Sequence, residues 1–253
     1  MSGTVYLVGA GPGAPDLLTL RAARLLGEAD IVFHDALVPP ETLAIASRAE
    51  KVAVGKRSGR HSTAQRFINK RLLDAARRYR VVVRLKGGDP MLFGRAHEEI
   101  AFLKKHRIAV EIVPGVTAAL AASAELQISL TRRGAARSVC FVTPRVGAGE
   151  RPSSWVQAVL AADTAAVYMG AGEAASIAAA LITAGKPAST PTVIVENASL
   201  PEARMRIGRL EELPRLAAGL SGGPALVLIG EVFEAAQEAA IGDLIARIAS
   251  QAA

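Results

Sequence analysis

The stretch VRLKGGDPMLFGR, residues 83–95, begins as a β-branched run and changes abruptly to glycines. Val81-Val82-Val83 predicts a strand buried on both faces, because β-branched side chains pack well in a covered sheet. Gly87 and Gly88 allow tight turns and close approach of another group to the backbone. Asp89 can accept hydrogen bonds, and Pro90 turns the chain after it. The stretch therefore indicates either a ligand-binding strand end or a plain Asp-Pro turn.

Four other strand ends in the first 115 residues have a similar character. Strands are predicted at 4–8, 31–33, 52–54 and 110–113, and they are followed by GAGPG (9–13), His34-Asp35, Gly55-Lys56-Arg57 and Pro114-Gly115. Helical patterns lie between the strands, at 17–27, after Pro40 to Ser47, from the Ser62–Gln65 capping box to Arg78, and around Glu98-Glu99. This alternation predicts a parallel sheet covered by helices, whose carboxyl edge would bind a ligand.

The second half of the chain has a different pattern. Candidate strands lie at 139–142, 165–169, 192–195, 205–207 and 225–229, and a terminal helix is predicted after Glu231. The segment between Val195 and Gly208 has no room for a helix, so the strands on either side of it should run antiparallel. We therefore expect a two-domain α/β protein, with a mainly parallel sheet in residues 1–115 and a mixed sheet in residues 116–253.

Composition limits the classes of protein that the chain can represent. Its 253 residues are 51% apolar and 21% charged, which excludes an intrinsically disordered chain. No apolar run approaches the roughly 20 residues of a membrane span, no signal peptide is evident, and Cys140 is the single cysteine. We expect a cytoplasmic protein without a disulfide, and the histidines and cysteine lack metal-ligand spacing. The net charge of +7 favours an anionic partner, although surplus arginine alone explains it equally well.

The loop GAGPGA, residues 9–14, also satisfies the relaxed dinucleotide-binding pattern G-x-G-x-x-[GA]. Asp35 lies at the end of the second predicted strand, where a ribose-binding acid would lie. Against this interpretation, Pro12 and Pro15 flank the third position, and a helix that starts late, near Leu17, offers no N-terminus to a phosphate. A nicotinamide-dependent oxidoreductase and a plain tight turn both stay open on these residues.

Taken in order along the chain, the strings resemble the uroporphyrinogen-III C-methyltransferases of the tetrapyrrole methylase family. The similar segments are GAGPG (9–13), DALV (35–38), GKR (55–57), VRLKGGDP (83–90), FGR (93–95), VPGVTA (113–118), YMG (168–170) and VEN (195–197). The similarity runs from about residue 4 to residue 233, and RLKGGDP followed by FGR is its most specific part. It implies the two-domain fold of that family, S-adenosylmethionine bound in the interdomain cleft, and a homodimer.

The resemblance also implies roles for individual residues. Asp35 matches the proton acceptor and Lys56 the proton donor. By charge, Arg57, Arg84, Lys86 and Arg95 near the cleft would attract the carboxylates of the tetrapyrrole, with Arg57 and Arg95 as the candidate substrate contacts. A structural role stays open for some of these cations, Arg84 especially. The positions that match cofactor contacts are Pro12, Gly87, Gly88, Asp89, Leu92, Thr117, Ala118, Met169 and Ala198.

The implied reaction is C-methylation of uroporphyrinogen III at two pyrrole carbons, giving precorrin-2 through precorrin-1 for siroheme or cobalamin synthesis. A proline-bearing first loop suits a sulfonium cofactor, which has no pyrophosphate, and the polarizable Met169 suits a sulfur-bearing ligand. No metal, nucleic acid or membrane is expected to take part. The 4% of aromatic residues disfavours a nucleic-acid-binding or RNA-methylating protein, since such proteins stack bases on aromatic side chains.

Four segments depart from the residues usual in the family. Ala96-His97 replace a Gly-Gly pair, Arg132-Arg133-Gly134 replace His-Arg-Asp, Pro144-Arg145 replace Gly-His, and Ala198 replaces a glycine. The first three lie where the macrocycle is expected, so a related tetrapyrrole methyltransferase with a different substrate stays open. We expect His97 to be an exposed helix residue, and Ala198 to keep a backbone contact if its φ is negative.

Overall fold

A computed structural model describes residues 2–54, 65–147, 151 and 153–236. The chain divides into two compact units, before and after the bond between Ala118 and Ala119. This division lies close to the domain boundary expected after residue 115. Each unit contains one five-stranded sheet, so the two units are described separately.

The sheet of unit 1 is wholly parallel. Its strands are β1 (Thr4–Gly9), β2 (Ile31–His34), β3 (Glu50–Ala53), β4 (Val81–Lys86) and β5 (Ala109–Val113). They lie in the order β3-β2-β4-β1-β5, with β4 in the centre, and every neighbouring pair is parallel. The parallel sheet predicted from the alternating pattern is confirmed.

Helices cover both faces of this sheet. They are α1 (Leu20–Glu28), α2 (Pro40–Ile45), α3 (Gln65–Ala76) and α4 (Ala96–Lys105). Apolar residues of α1 and α2 pack on one face, including Leu25 and Leu26 against Val83, and those of α3 and α4 pack on the other, including Leu72 and Leu103. Because both faces are covered, the inner strands β1, β2 and β4 are mostly buried, and their carboxyl ends are the parts that remain available to a ligand.

The first helix begins later than predicted. A short 3₁₀ turn occupies Pro15–Leu17, and α1 starts only at Leu20. Thr19 has an extended backbone, and its hydroxyl accepts a hydrogen bond from the N–H of Ala22 at 3.2 Å, so it caps the helix. The prediction that the helix starts near Leu17 is therefore wrong. The helical spacing of leucines includes Leu17, but Leu17 belongs to the 3₁₀ turn, and the Thr19 cap separates that turn from the helix.

Unit 2 contains a mixed sheet. Its strands are β6 (Val139–Val142), β7 (Thr164–Tyr168), β8 (Pro191–Glu196), β9 (Arg204–Arg209) and β10 (Ala225–Gly230), in the order β6-β7-β10-β8-β9. Strands β6 and β7 are parallel and the other pairs are antiparallel, including β8 with β9. The predicted mixed sheet and the predicted antiparallel pair are both confirmed.

The helices of unit 2 are mostly short. They are α5 (Ala118–Leu126), α6 (Trp155–Ala161), α7 (Ala174–Thr183) and α8 (Leu213–Ala218). A 3₁₀ turn at Glu231–Phe233 leads into helical residues 234–236, and the rest of the predicted terminal helix lies outside the described residues. In the described part of the chain, none of the helices combines the length and apolar character that crossing a bilayer requires.

Both units use an aspartate to fix the start of a parallel strand pair. In unit 1, Asp30 precedes β2 and accepts a hydrogen bond from the N–H of Val81 at 2.8 Å, at the start of the neighbouring β4. In unit 2, Asp163 precedes β7, and its Oδ2 accepts from the N–H of Arg137 at 2.8 Å and of Ser138 at 2.9 Å. The Ser138 hydroxyl donates to the same oxygen at 2.7 Å. Backbone N–H groups that would otherwise be unpaired are satisfied in this way.

Replacing Asp163 by Asn should lower the thermal unfolding midpoint at pH 7. The hydrogen bonds from Arg137 and Ser138 hold the pKa of Asp163 below its ordinary value of 3.8. Because the folded-state pKa is depressed, the carboxylate stabilises the fold above pH 3.8, and this contribution is lost as the pH falls through the folded-state pKa. Calorimetry from pH 7 to pH 3 should therefore show the difference in unfolding midpoint between wild type and Asp163→Asn becoming smaller in acid.

Glu202→Gln, at an exposed carboxylate of the same unit, is the control and should have the midpoint of wild type. A midpoint difference for Asp163→Asn that is the same at every pH would contradict the account.

Candidate functional site

The loops that follow β1 and β4 pair with each other through their backbones. The N–H of Gly11 donates to the carbonyl of Gly88 at 3.2 Å, and the N–H of Gly88 donates to the carbonyl of Gly11 at 2.7 Å. The N–H of Ala10 donates to the carbonyl of Lys86 at 2.7 Å, which continues the pairing toward the sheet. Both glycines have φ near +70°, at +72° and +67°, a conformation that other residues rarely adopt. The two glycine loops predicted from the sequence therefore meet at one edge.

The loop after β5 packs against the same place. A Cβ atom added to Gly9 would lie 2.6 Å from the Cα of Gly115 and 2.7 Å from the carbonyl oxygen of Gly88, which is closer than real side chains allow. In addition, Oδ2 of Asp89 accepts a hydrogen bond from the N–H of Gly115 at 2.9 Å. Glycine backbone and one carboxylate thus hold three loops together at the carboxyl edge of unit 1.

Asp89 has a structural role beside the ligand contact predicted for it. Its Oδ1 accepts from the N–H of Met91 at 2.8 Å, which closes an Asx turn, while Oδ2 binds Gly115. Asp89 therefore forms the turn that the Asp-Pro sequence suggested, and this turn does not exclude a ligand contact by the same residue. A carboxylate offers about four acceptor sites, so two backbone hydrogen bonds leave capacity for a ligand. The residue is half-buried, so its carboxylate is not sealed inside the protein.

Asp35 joins the loop after β2 to this edge. Its Oδ2 accepts from the N–H of Gly87 at 3.3 Å, and its Oδ1 accepts from the N–H of Leu37 at 3.2 Å. A Cβ added to Gly87 would lie 3.1 Å from the Cβ of Leu37, so a side chain at 87 would press on the turn that carries Asp35. The predicted proton donor Lys56 and the predicted substrate contact Arg57 lie outside the described residues.

Of the three contacting glycines, Gly9, Gly88 and Gly115, only Gly88 has open space beside its Cα. A Cβ added there would meet only the Cα of Thr117, at 4.0 Å, whereas Gly9 and Gly115 face backbone. Thr117 is itself 9% exposed. The predicted cofactor residues that belong to the loops described here are Pro12, Gly87, Gly88, Asp89, Leu92, Thr117 and Ala118.

The other two predicted cofactor residues belong to unit 2. Met169 follows β7 with a left-handed backbone, φ +57°, and is 45% exposed. Ala198 is buried in the turn after β8, between Asn197 and Ser199, which both have positive φ while Ala198 does not. Ala198 therefore meets the condition set for a backbone contact. That Met169 and Ala198 join the loops of unit 1 around one ligand stays a prediction.

Glu196 is a residue whose role the sequence analysis missed. It ends β8, is fully buried, and accepts hydrogen bonds from the N–H groups of Ser221 at 2.9 Å and Gly223 at 2.8 Å. Burial acts to raise the pKa of Glu196, but the backbone N–H groups of Ser221 and Gly223 outweigh it and hold the pKa below its ordinary value. This carboxylate fixes the turn at 221–223. The sequence signal for this role was a glutamate that ends the otherwise apolar strand PTVIVE.

The cations of β4 and its loop separate into buried and exposed ones. Arg84 and Lys86 are 4% and 5% exposed, and both contact the buried carboxylate of Glu99, at 3.2 Å from Arg84 Nε and 3.5 Å from Lys86 Nζ. Of the two alternatives for Arg84, the structural one is therefore observed, and the expectation that Lys86 attracts the substrate at the cleft is corrected. Arg95 is exposed, and it donates to both carboxylate oxygens of Glu98, at 2.7 and 2.9 Å.

Most of the residues that depart from the family pattern are exposed, whereas Ala96 and Ala198 are buried. His97 is exposed on α4, as expected. Arg132, Arg133 and Gly134 form an exposed turn that is closed by hydrogen bonds between Arg132 and Ala136, and Arg145 is exposed after β6. Among the described residues, no group of three or more histidine, cysteine or acidic side chains is arranged to hold a metal ion.

With this geometry established, comparison with known proteins identifies the family. Residues 4–214 match the tetrapyrrole (corrin/porphyrin) methylases. The chain belongs to this family. Membership of this family excludes the dinucleotide-binding interpretation of the loop at 9–14. The structure gives the physical reason. Because α1 starts only at Leu20, its N-terminus does not follow directly on the glycine loop, where it would bind a pyrophosphate.

Individual relatives narrow the comparison within the tetrapyrrole methylases. A siroheme synthase from Chromobacterium violaceum is 47% identical over 239 residues, which are 94% of this chain and 51% of that protein. The chain thus spans about half the length of the curated relatives it matches. A uroporphyrin-III C-methyl transferase from Thermus thermophilus, solved with S-adenyl homocysteine, is 44% identical with a TM-score of 0.81, over 92% of this chain and all of that one. A cobalt precorrin-4 methyltransferase is 28% identical with a TM-score of 0.79, over 90% and 95% of the two chains.

Replacing Gly9 by Ala should destabilise unit 1 by at least about 2 kcal/mol, because the added methyl group meets the backbone of Gly88 and Gly115. Gly27→Ala is the matched control, since Gly27 lies within α1 with nothing within 4 Å of an added Cβ. That variant should be more stable than wild type by about 0.5–1 kcal/mol. Urea unfolding followed by circular dichroism measures both, and equal stability of the two variants would contradict the packing described here.

Replacing Glu196 by Gln should destabilise unit 2 by about 1–3 kcal/mol, because the acceptor loses its charge and one of its two oxygens, both of which accept from Ser221, becomes an NH2 donor. Glu211→Gln, at an exposed position of the same unit, should leave the free energy of unfolding unchanged. The measurement is again urea unfolding. A Glu196→Gln variant as stable as the control would show that the turn at 221–223 does not depend on this carboxylate.

Proposed function

We propose that this chain is a methyltransferase that uses S-adenosylmethionine to methylate uroporphyrinogen III at two pyrrole carbons, giving precorrin-2 through precorrin-1. The observation that supports the proposal most is the glycine-lined edge of unit 1 in a chain 44% identical to the Thermus protein over that protein's whole length. Precorrin-2 is used for siroheme or cobalamin synthesis. The homodimer and the cytoplasmic location implied by the resemblance stay predictions.

The residues of this edge suit S-adenosylmethionine. The open space above Gly88 allows a ligand to reach the backbone, and the carboxylates of Asp35 and Asp89 are the charged side chains that hold the neighbouring loops. Anionic groups suit a cofactor that carries a sulfonium and an ammonium charge and no phosphate. The residues that would hold it are Pro12, Gly87, Gly88, Asp89, Leu92, Thr117, Ala118, Met169 and Ala198.

S-adenosylmethionine supplies a methyl group that is already strongly electrophilic when it binds. The main task of the protein is therefore to hold the cofactor and the pyrrole carbon in line, which is a matter of positioning. Loops fixed by glycine contacts and by Asp89 suit this task, because a loop that is already ordered loses little entropy on binding.

Asp35 is the candidate to remove the proton that the methylated ring must lose. Its two oxygens each accept one backbone hydrogen bond, from Leu37 and Gly87, which orient the carboxylate and leave lone pairs free to take a proton. Lys56 is the proton donor proposed from the matching position in the family. Neither assignment requires a metal ion.

The substrate is a polycarboxylate, and Arg57 and Arg95 are the proposed contacts for its charges. Arg95 is already paired with Glu98, but an exposed pair of this kind contributes only about 0–1 kcal/mol. A substrate carboxylate can therefore compete for the Arg95 guanidinium. The net charge of +7 attracts such a substrate at longer range.

A different tetrapyrrole substrate is the second candidate, and two observations favour keeping it. The fold is shared with a methyltransferase that is named for cobalt precorrin-4. The chain also departs from the family pattern at His97, at 132–134 and at 144–145, which are the segments expected near the macrocycle. These substitutions leave the cofactor strings untouched, so they bear on substrate choice rather than on methyl transfer.

The direct test is anaerobic incubation of the purified chain with S-adenosylmethionine and uroporphyrinogen III, followed by mass spectrometry. The proposal predicts products that have gained one and then two methyl groups. If S-adenosylhomocysteine binds in calorimetry but no methylated product forms, the assignment of uroporphyrinogen III as substrate is overturned and a different tetrapyrrole is favoured. Absence of that binding would overturn the cofactor as well.

Replacing Asp89 by Ala should weaken binding of S-adenosylhomocysteine by about 2–4 kcal/mol, because the loops after β4 and β5 lose their tie and the ligand loses an acceptor. This corresponds to roughly a 30- to 1,000-fold rise in Kd. Asp74→Ala, near the end of α3, is the control and should bind normally. Isothermal calorimetry measures both, and wild-type affinity in Asp89→Ala would place the cofactor elsewhere.

A further inference from the structure

A cluster of buried charges lies beneath the loop at 87–95 and contains more positive than negative charge. Glu99 is fully buried, and its carboxylate contacts both Arg84 and Lys86. The side-chain amide of Gln65 also donates to Glu99 Oε1, at 3.0 Å. Among the described residues of this cluster, two buried cations therefore share one buried carboxylate, and one positive charge is in surplus.

Lys86 is the cation that the structure does not need for neutrality. Arg84 and Glu99 alone would form a neutral pair, and Arg84 has a further partner because its Nη1 donates to the carbonyl of Leu85 at 3.0 Å. Burial, and then the Arg84 guanidinium, lower the pKa of Lys86 from its ordinary value, so holding an ammonium charge at this position costs free energy. Replacing a buried ion by an apolar residue of similar size is often neutral or stabilising. Stability alone therefore gives no reason for a lysine here.

The position of Lys86 points instead to the carboxyl edge. Lys86 ends β4 and is followed by Gly87, whose N–H donates to Oδ2 of Asp35. A Cβ added to Gly94 would lie 3.0 Å from the Cε of Lys86, so the loop closes over the lysine side chain. In the pairing of β2 with β4, His34 lies opposite Leu85, so Asp35 and Lys86 are the next residues along the two neighbouring strand ends. The ammonium group thus has Glu99 as its direct partner, and Asp35 is the anion on the neighbouring strand end.

We propose that Lys86 is a positioning residue for Asp35, whose carboxylate its surplus buried charge attracts and keeps seated on the N–H of Gly87. The inference rests on the proposed function, in which Asp35 removes the proton from the methylated ring. It assigns a role to a lysine that is too deeply buried to contact the substrate.

The test is Lys86→Met, which keeps a long unbranched side chain and removes the charge. The proposal predicts a thermal midpoint equal to or above that of wild type, together with a fall in kcat for methyl transfer of about tenfold or more, because the base is misplaced. A merely structural lysine would give the reverse, a lower midpoint and an unchanged kcat in the folded enzyme. Glu99→Gln provides the contrast, since it leaves two buried cations without a carboxylate and should lower the midpoint.

A double-mutant cycle tests whether Lys86 acts through Asp35. In an Asp35→Asn background, adding Lys86→Met should cause no further fall in kcat, because the group that it positions is already disabled. Lys104→Met, at an exposed lysine of α4, is the control and should change neither the midpoint nor kcat.

The outcomes separate this inference from the proposed function. If the wild-type chain transfers no methyl group to uroporphyrinogen III, the proposed function is overturned and the inference with it. If the wild type is active and Lys86→Met is equally active, fails to fold, or loses kcat additively with Asp35→Asn, the inference alone is overturned.

Discussion

Backbone contact among Gly9, Gly88 and Gly115 is the constraint on which the carboxyl edge of unit 1 depends. No side chain fits at Gly9 or Gly115, because an added Cβ would meet the backbone of the neighbouring loops. Only Gly88 has space beside it, next to Thr117. The same close packing that joins three strand ends therefore leaves one opening, where a ligand would meet backbone rather than side chains. A methyl donor that needs accurate placement and little chemical activation suits such a site.

Carboxylates that bind backbone N–H groups fix several turns and strand ends among the described residues of this chain. Asp89 and Asp35 join loops in unit 1, and Asp163 and Glu196 fix strand ends in unit 2. Each of these side chains satisfies donors that the ends of strands leave unpaired. Lys86 is different, because its buried charge exceeds what the neighbouring Arg84–Glu99 pair requires. Lys86 ends the strand next to the one that leads into Asp35, the proposed base.

The sequence predicted the architecture well, because strand ends, helix periods and connection lengths are local properties. The parallel sheet of unit 1 and the antiparallel pair β8–β9 both follow from such patterns. The start of α1 was missed, since the cap at Thr19 depends on which of several turns the chain adopts. The burial of Lys86 was missed because it depends on Glu99, which the fold brings to it from α4. The string RLKGGDP located the edge of the sheet, but it did not show which of its charges reach the surface.

The most direct test of the central claim is hydrogen–deuterium exchange with and without S-adenosylhomocysteine. If the glycine-tied loops bind the cofactor, peptides covering residues 9–18, 87–92 and 113–118 should all exchange more slowly when the ligand is present. The strands beneath them should change little, because they are already buried. Binding that slows exchange elsewhere and leaves all three loops unchanged would contradict the account.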